Sequence, residues 1–438
     1  MTPADAAGYA SDAFTSHGVL TREGPANEGV RALRVLHVDH TGYAGGAERA
    51  LVRLLTAQRE WRAALCAPRV EGDGDLSGGV PADDAFDRLA GHGVELDRDL
   101  PGLPGGGTRS SSPAFAARYY AALRACARAL RRSPLFVGAD VIHTNTAAAA
   151  IISALANRGR SVPLVVHLRD VVDTHSLGRA GFTAFTRLGL KHADGVIANA
   201  RSTLESAEGL IPPNAAAAVI PSPIGIPHRV ARPPVAGAPG PVRAIGMVGR
   251  LQHARGQHIL LYAFAHLFRG TGVRAYFAGA PTLGEAVYAD DLRALAVRLG
   301  IAEQVTFFGH VEDLAGFLDS IDILVHAAIR PEPLGQSVLQ GLACGKPIIA
   351  TEGGGSSEWI RDGENGLLVA PDSPDALAAA LRALAESGDL RARLAAAAAR
   401  TAGVLADDEC AARHAQFFLE IVRASGRTGR PGVAPIAP

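Results

Sequence analysis

The sequence predicts an α/β protein built from two successive parallel-sheet domains that face each other across a cleft. Three observations carry this reading. Short apolar runs rich in β-formers alternate with helical stretches along most of the chain, as expected of parallel strands covered on both faces. The alternation breaks once, at the Pro/Gly-rich segment PHRVARPPVAGAPGPV (227–242), which has the composition of a linker. It then restarts. Ligands of open parallel sheets bind at the carboxyl ends of the strands, so two such sheets place a site between them.

The elements follow in order. Residues 1–30 are small and polar without periodicity and read as a loose arm. A first domain spans 31–228, with strands expected at RVLHVD (34–39), AALCAP (63–68), DVIHTN (140–145), PLVVHLRD (163–170), GVIANA (195–200) and AAVIPSP (217–223). The linker proper is 229–241. A second domain, 242–403, opens on the strand RAIGMVG and the amphipathic helix GQHILLYAFAHLF, and continues with VRAYFAGA, QVTFFG, DILVHAA and KPIIAT. A helix at 404–425 is placed to pack back on the first domain, and 426–438 is a tail.

Composition narrows the function. The 438 residues are 48% hydrophobic and carry 43 basic and 43 acidic side chains, so the basic excess of a nucleic-acid binder is absent. Cys66, Cys126, Cys344 and Cys410 are widely separated with no C-x-x-C pair, which disfavours a zinc or redox site and suits a reducing cytoplasm. The N-terminal stretch lacks the pattern of a signal peptide, and no segment offers the ~20 apolar residues of a membrane helix. The helix 114–133 carries Arg124, Arg128, Arg131 and Arg132 away from an apolar stripe. It reads as a solvated face over a packed one and is also a candidate for weak peripheral membrane contact.

The strongest motifs lie in the second domain. VGRLQHARGQ places Arg250 after a buried strand and Arg255 before the next helix, where two guanidiniums can clamp a diphosphate. RPEPLGQSVLQGLACGKP puts Glu332 in a loop just before a helix that Gly345 and Pro347 stop. The first-turn N–H groups of that helix, at Gly335, Gln336, Ser337 and Val338, suit a phosphate. Gly353, Gly354 and Gly355 allow close backbone approach after the next strand. In the first domain, Gly45 and Gly46 join the first strand to its helix without dinucleotide-fingerprint spacing. His167, Arg169 and Asp170 end another strand. Taken alone, a strand-end histidine, a loop acid and a surface amide are more often structural. Asp73 and Asp75 form a D-x-D in a polar loop with no strong buried strand before it, and read as a turn.

Together these residues resemble the GT-B family 4 retaining glycosyltransferases. The likeness runs in order over roughly 34–420, through Gly45, Gly46 and Glu48, then HLRD, GRLQHARGQ, EPLGQSVLQ and GGSSEWIRDGENGLLV. The sequence departs at Arg255, where the family has lysine, at Leu334 for phenylalanine, and at Gln340 for the second acid of the E-x7-E motif. The resemblance implies two Rossmann-like domains and a hexosyltransferase-type activity. The substrates would be a nucleoside-diphosphate sugar, UDP- or GDP-linked, and a hydroxyl acceptor such as a glycan, a lipid-linked sugar or a small natural product. No other cofactor and no metal are implied.

It further implies that Arg250 and Arg255 hold the diphosphate, with Gly335, Ser337, Val338 and Gly46. Glu332 would meet the donor sugar, His167 would line its pocket, and Gln340 would take the ribose position, where an amide can still bond a hydroxyl without the strength of a carboxylate. Gly45, Gly46, Arg169 and Asp170 would lie on the acceptor side. With no second carboxylate assigned to the site, same-face attack is preferred over a covalent glycosyl-enzyme. Rival readings are an inert nucleotide-sugar-binding protein, made conceivable by Gln340, and a GT-B epimerase or phosphorylase. The implied location is cytoplasmic, with a peripheral position at the inner membrane face as an option.

Overall fold

The computed structural model describes residues 31–70, 84–104, 113–226, 240–281, 286–426 and 433–434. The arm, the Asp73–Asp75 loop, nearly all of the linker and most of the tail lie outside the described residues. In the first domain, seven parallel strands stand in the order β3-β2-β1-β4-β5-β6-β7. They are β1 Arg34–Val38, β2 Arg62–Cys66, β3 Glu95–Asp97, β4 Val141–Thr144, β5 Leu164–Leu168, β6 Gly195–Ala198 and β7 Ala216–Val219. In the second, six parallel strands stand in the order β10-β9-β8-β11-β12-β13. These are β8 Ala244–Val248, β9 Arg274–Ala278, β10 Val305–Gly309, β11 Ile323–His326, β12 Ile348–Thr351 and β13 Leu367–Val369.

Two α/β domains with parallel sheets are thus present, as the alternation requires. The three-residue strands β3 and β13 were not among the strand expectations, being too short to show a period. Val433–Ala434, in the segment read as a tail, pairs in parallel with Arg31–Ala32.

The helices that matter for the site are α1 Gly46–Ala57, α2 Pro113–Arg132, α3 Ala147–Ala156, α4 Gln257–Phe268, α5 Gln336–Ala343, α6 Gly355–Trp359 and α7 Asp407–Ala424. α1 buries Leu51, Leu54 and Leu55 at helical spacing against the first sheet. α3 starts where the Thr146 side chain accepts from Ala149 N–H. α2 buries Leu123, Cys126 and Leu130 and exposes Arg124, Arg128, Arg131 and Arg132. No helix among the described residues is long and apolar enough to cross a membrane. All four cysteines are free thiols.

α7 lies after the second domain in sequence, yet its buried face belongs to the core of the first. Cys410, Ala411, Phe417, Phe418 and Ile421 share one apolar cluster with Leu33, Val35, Leu51, Trp61 and Val165. Phe418 is fully buried, edge-on to Trp61 with ring centroids 5.6 Å apart. Gly195 has no room for a side chain because Phe417 and Ile421 press on β6.

Further contacts join the domains at the cleft. Glu358 of α6 accepts from the N–H groups of Arg201 (2.8 Å) and Ser202 (2.7 Å) at the start of a short helix in the first domain. Arg49 meets His310 and Arg330 meets His175, each at 3.1 Å.

Phe418→Ala is expected to cost about 3–5 kcal/mol, the usual loss for a buried phenylalanine. Urea unfolding of the variant beside wild type measures it, and a loss near zero would show that α7 does not hold the first sheet.

Candidate active site

Both sheets reverse strand order at one point, and open parallel sheets take their ligands in the crevice at the carboxyl ends of the strands there. In the second domain this point lies between β8 and β11. Arg250 follows β8 and is exposed at the edge, where its carbonyl accepts from Gln257 Nε2 at 2.8 Å. A single 3-10 turn, His253–Arg255, then carries Arg255 back over the crevice before α4 begins. Glu332 comes from the loop after β11. Its main chain bridges to Gly354, and its carbonyl accepts from Gly355 N–H at 2.8 Å. Gly354 has φ +58, and a Cβ there would sit 2.2 Å from the Glu332 carbonyl, so only glycine permits the approach.

The Glu332 carboxylate is nearly out of water, its side chain 13% exposed. Arg255 holds Oε1 through Nη1, and His326 Nε2 stands 3.3 Å from Oε2. Burial alone would raise its pKa; the His326 ring and the Arg255 guanidinium outweigh this and bring it down to about 2. Glu332 is therefore an anion throughout the neutral range.

α5 begins beside it. Gly335 is its N-cap in the left-handed conformation, φ +68 and ψ +53. The first bond of the turn runs from Val338 N–H to Gly335 O at 2.9 Å, so the Val338 amide, expected to be open to a phosphate, already has an acceptor. The Gln336 and Ser337 amides precede that bond. Arg255 and Glu332 are in direct contact, Gly335 follows Glu332 by three residues, and the N-terminus of α5 adds positive potential on this side of the sheet.

Gln340 has a partner in the first domain that the resemblance did not imply. It is 4% exposed, and its Nε2 donates to the Ile224 carbonyl of the first domain at 2.8 Å. Gln336 Nε2 donates to the Pro223 carbonyl at 3.0 Å, and Arg53 Nη1 reaches both carbonyls. The amide at 340 is spent on a main-chain acceptor, a task that needs a donor and that a carboxylate cannot perform.

Facing this crevice, the first domain reverses between β1 and β4. Gly45 and Gly46 open α1 there, and Gly46 is exposed. Asp39, at the end of β1, is fully buried and accepts from Asn145 Nδ2 and the His40 N–H, both at 2.7 Å. Asn145 Oδ1 accepts from Arg169 Nε at 3.0 Å, and Arg169 Nη1 donates to Ser222 Oγ at 2.8 Å. Burial lowers the Arg169 pKa to about 10. Glu48, buried in the first turn of α1, is raised to about 7 by burial and then by Asp39. Asp170 is exposed and accepts from the Val171 N–H. Asp39 and Asn145 were not singled out beforehand; their place at two adjacent strand ends, in HVDH and HTN, was the available signal.

His167 does not line the crevice. It is 2% exposed and points to the α7 face of the sheet, within a cluster of four histidines. Trp61 Nε1 donates to His37 Nε2 at 3.2 Å; His37 and His143 share their Nδ1 atoms at 2.9 Å; His143 Nε2 and His167 Nδ1 lie 3.0 Å apart. Indole nitrogen only donates, which sets the direction of every bond that follows in a neutral chain. His37 donates from Nδ1, His143 from Nε2, and His167 is left with its proton on Nε2. On α7, His414 Nδ1 meets the Cys410 carbonyl at 2.8 Å. His143, His167 and His414 bring one nitrogen each within 4.8 Å of one another, as metal ligands can, but hydrogen bonding already uses His143 on both sides.

Burial is the main cause that keeps all four neutral, with His37 lowered to about 3 and His414 to about 4. His143 and His167 are also lowered well below the ordinary value, by burial first.

The two facing domains are the GT-B architecture. Anabaena HepE, solved in complex with UDP and glucose, has the same fold, with a TM-score of 0.70 at 22% identity over 88% of this chain and 99% of its own. The profile described as Glycosyl transferases group 1 matches residues 233–401, and that described as Glycosyltransferase Family 4 matches 44–226. The chain belongs to the group 1, family 4 glycosyltransferases. It is 33% identical over 157 residues to the lipopolysaccharide core biosynthesis glycosyltransferase LpsE of Rhizobium meliloti, which covers 36% of this chain and 44% of that protein. It is 37% identical over 166 residues to the D-inositol 3-phosphate glycosyltransferase of Mycobacterium marinum, covering 36% and 35% respectively. Each match spans less than half of the relative's length.

Two outcomes follow from the geometry. The histidine cluster binds protons only when unfolded, so its contribution to stability is complete above about pH 6.5, the unfolded histidine value. It is lost as the pH falls from there toward about 4 and 3, the folded values of His414 and His37. Urea midpoints measured from pH 7.5 to 4.5 should fall accordingly, and a flat series would contradict a buried neutral cluster. Gln340→Glu should lower the melting temperature and leave donor affinity no tighter, because it sets a carboxylate against the Ile224 carbonyl. Tighter donor binding by calorimetry would return residue 340 to the ribose.

Proposed function

We propose that the protein transfers a sugar from a nucleoside-diphosphate sugar to a hydroxyl acceptor, with retention at the anomeric carbon and without a metal. One observation carries the reading. A largely covered carboxylate, Glu332, is kept ionised by Arg255 and His326 at the strand-order switch point, next to the loop that carries Arg250 and to a helix N-terminus. Such a place suits a ligand with polyol at one end and diphosphate at the other.

In this reading, Arg250, Arg255 and the first turn of α5 take the diphosphate and stabilise the charge that grows on it as the glycosidic bond breaks. Glu332 accepts hydrogen bonds from the sugar hydroxyls. A carboxylate held at about pKa 2 by two partners is a weak nucleophile, which favours same-face attack with the leaving phosphate taking the acceptor's proton. The acceptor enters from the first-domain edge, past Gly45, Gly46, Arg169 and Asp170. HepE was solved with UDP and glucose, so a UDP-sugar is the first donor to try and a GDP-sugar the second. The acceptor is a glycan, a lipid-linked sugar or a small natural product. The exposed arginines of α2 suit a cytoplasmic enzyme that touches an anionic membrane surface.

Nucleotide release from a panel of donors, with and without acceptor, tests the proposal. Binding without turnover across the panel would favour an inert sugar-nucleotide binder. Arg250→Ala should lower kcat by roughly 100- to 1,000-fold, the usual loss for one donor to a developing charge. Near-normal turnover would remove Arg250 from the reaction. EDTA should leave the rate unchanged, and strict dependence on added Mg2+ or Mn2+ would overturn the metal-free mechanism. A covalent glycosyl adduct on Glu332 in mass spectrometry would overturn same-face attack.

A further inference from the structure

We infer that His326 is a positioning residue of this site: it fixes the free oxygen of Glu332, so that the carboxylate presents one orientation to the bound sugar. The inference rests on the glycosyltransfer reading above and deepens it.

His326 is the last residue of β11, after Ile323, Leu324 and Val325, all fully buried. It is itself only 4% exposed. An imidazole at the end of an apolar strand needs partners for both nitrogens, and this one has candidates on two sides. Nε2 stands 3.3 Å from Glu332 Oε2, an ion-pair distance without the alignment of a hydrogen bond, while Nδ1 stands 3.3 Å from Ser356 Oγ. Ser356 is 1% exposed, in the first turn of α6. A serine hydroxyl can donate or accept, so Nε2 can carry a proton beside Glu332 Oε2 whether the ring is neutral or protonated.

Arg255 takes Oε1 from the loop after β8, and His326 takes Oε2 from β11 itself. The carboxylate is gripped from two neighbouring strands and cannot turn about its last bond without losing one partner. Arg250, on the same loop as Arg255, is exposed, and the remaining charged groups of these elements have other partners or face solvent. Arg330 meets His175, Glu358 caps the Arg201 helix, and Glu352, after β12, is exposed. Arg255 and His326 are the two groups that lower the Glu332 pKa.

The test is the pH dependence of kcat and KM for donor turnover in wild type, His326→Leu, His326→Gln, Ser356→Ala and Glu332→Gln. In wild type, Glu332 stays ionised through the acid range and imposes no acid limb near neutrality. His326→Leu removes one stabilising partner from a buried carboxylate, so its pKa rises and an acid limb enters the measurable range. Its kcat at neutral pH should fall about 10- to 100-fold with a smaller change in KM, the scale of a misplaced catalytic group. His326→Gln keeps an N–H toward Glu332 and should recover most of that loss. Ser356→Ala should shift the acid limb in the same direction by less. The double variant Glu332→Gln/His326→Leu should be no slower than Glu332→Gln alone, since both act through one carboxylate.

A folded His326→Leu with wild-type kcat and no new acid limb overturns the inference. If that variant does not fold, a His326→Gln profile with an unchanged acid limb and a Ser356→Ala profile identical to wild type overturn it equally. Wild-type turnover by Glu332→Gln would instead sink the glycosyltransfer reading of the site, and this inference with it.

Discussion

A carboxylate withdrawn from water must be paired or it takes up a proton, and the second domain is organised around that constraint at Glu332. Its two partners come from different places: Arg255 from the turn after β8, and His326 from the end of β11. β8 and β11 are neighbours only because the sheet reverses its winding there. The loop that carries Glu332 is locked in turn to Gly354 after β12. Three strand ends therefore converge on one anion. Arg250, Arg255 and the N-terminus of α5 are carried by the same loops that satisfy it.

Much of this was legible in the sequence. The alternation of strands and helices, its interruption at 227–242, and the placing of Arg250, Arg255 and Glu332 after buried strands all depend on local pattern. What was not legible depends on distant partners. Gln340 meets the Ile224 carbonyl, 116 residues earlier in the chain, and nothing near Gln340 announces that contact. His167 ends a strand as expected but faces the side covered by α7, and the direction of a strand-end side chain follows from register rather than from composition. His326 looked like one more residue of an apolar run, because Ser356 and Glu332 reach it only when β11 and β12 pair.

The two sheets differ in how they treat polar groups. The second brings charges to its edge and leaves the interior apolar, with Ile245, Val325 and Ile349 at its centre. The first admits three imidazoles beneath α7, with a fourth on α7 itself, and keeps them neutral by burial. One indole, Trp61, determines where each of their protons sits along the chain from His37 to His167. The arrangement ties β1, β4 and β5 together by side chains as well as by ladder bonds, on the face where a helix from the far end of the polypeptide docks.

The contact between Glu358 and the amides of Arg201 and Ser202 has a consequence for how the two halves communicate. The short helix Arg201–Glu205 has no cap of its own, since Ala200 stands where an oxygen-bearing side chain would serve. The other half of the molecule supplies it. Separation of the halves leaves that helix end to the solvent, so apposition and local helix order are two aspects of a single equilibrium. Amide exchange at two backbone positions then becomes a gauge of how far the whole molecule has opened, readable without any probe attached.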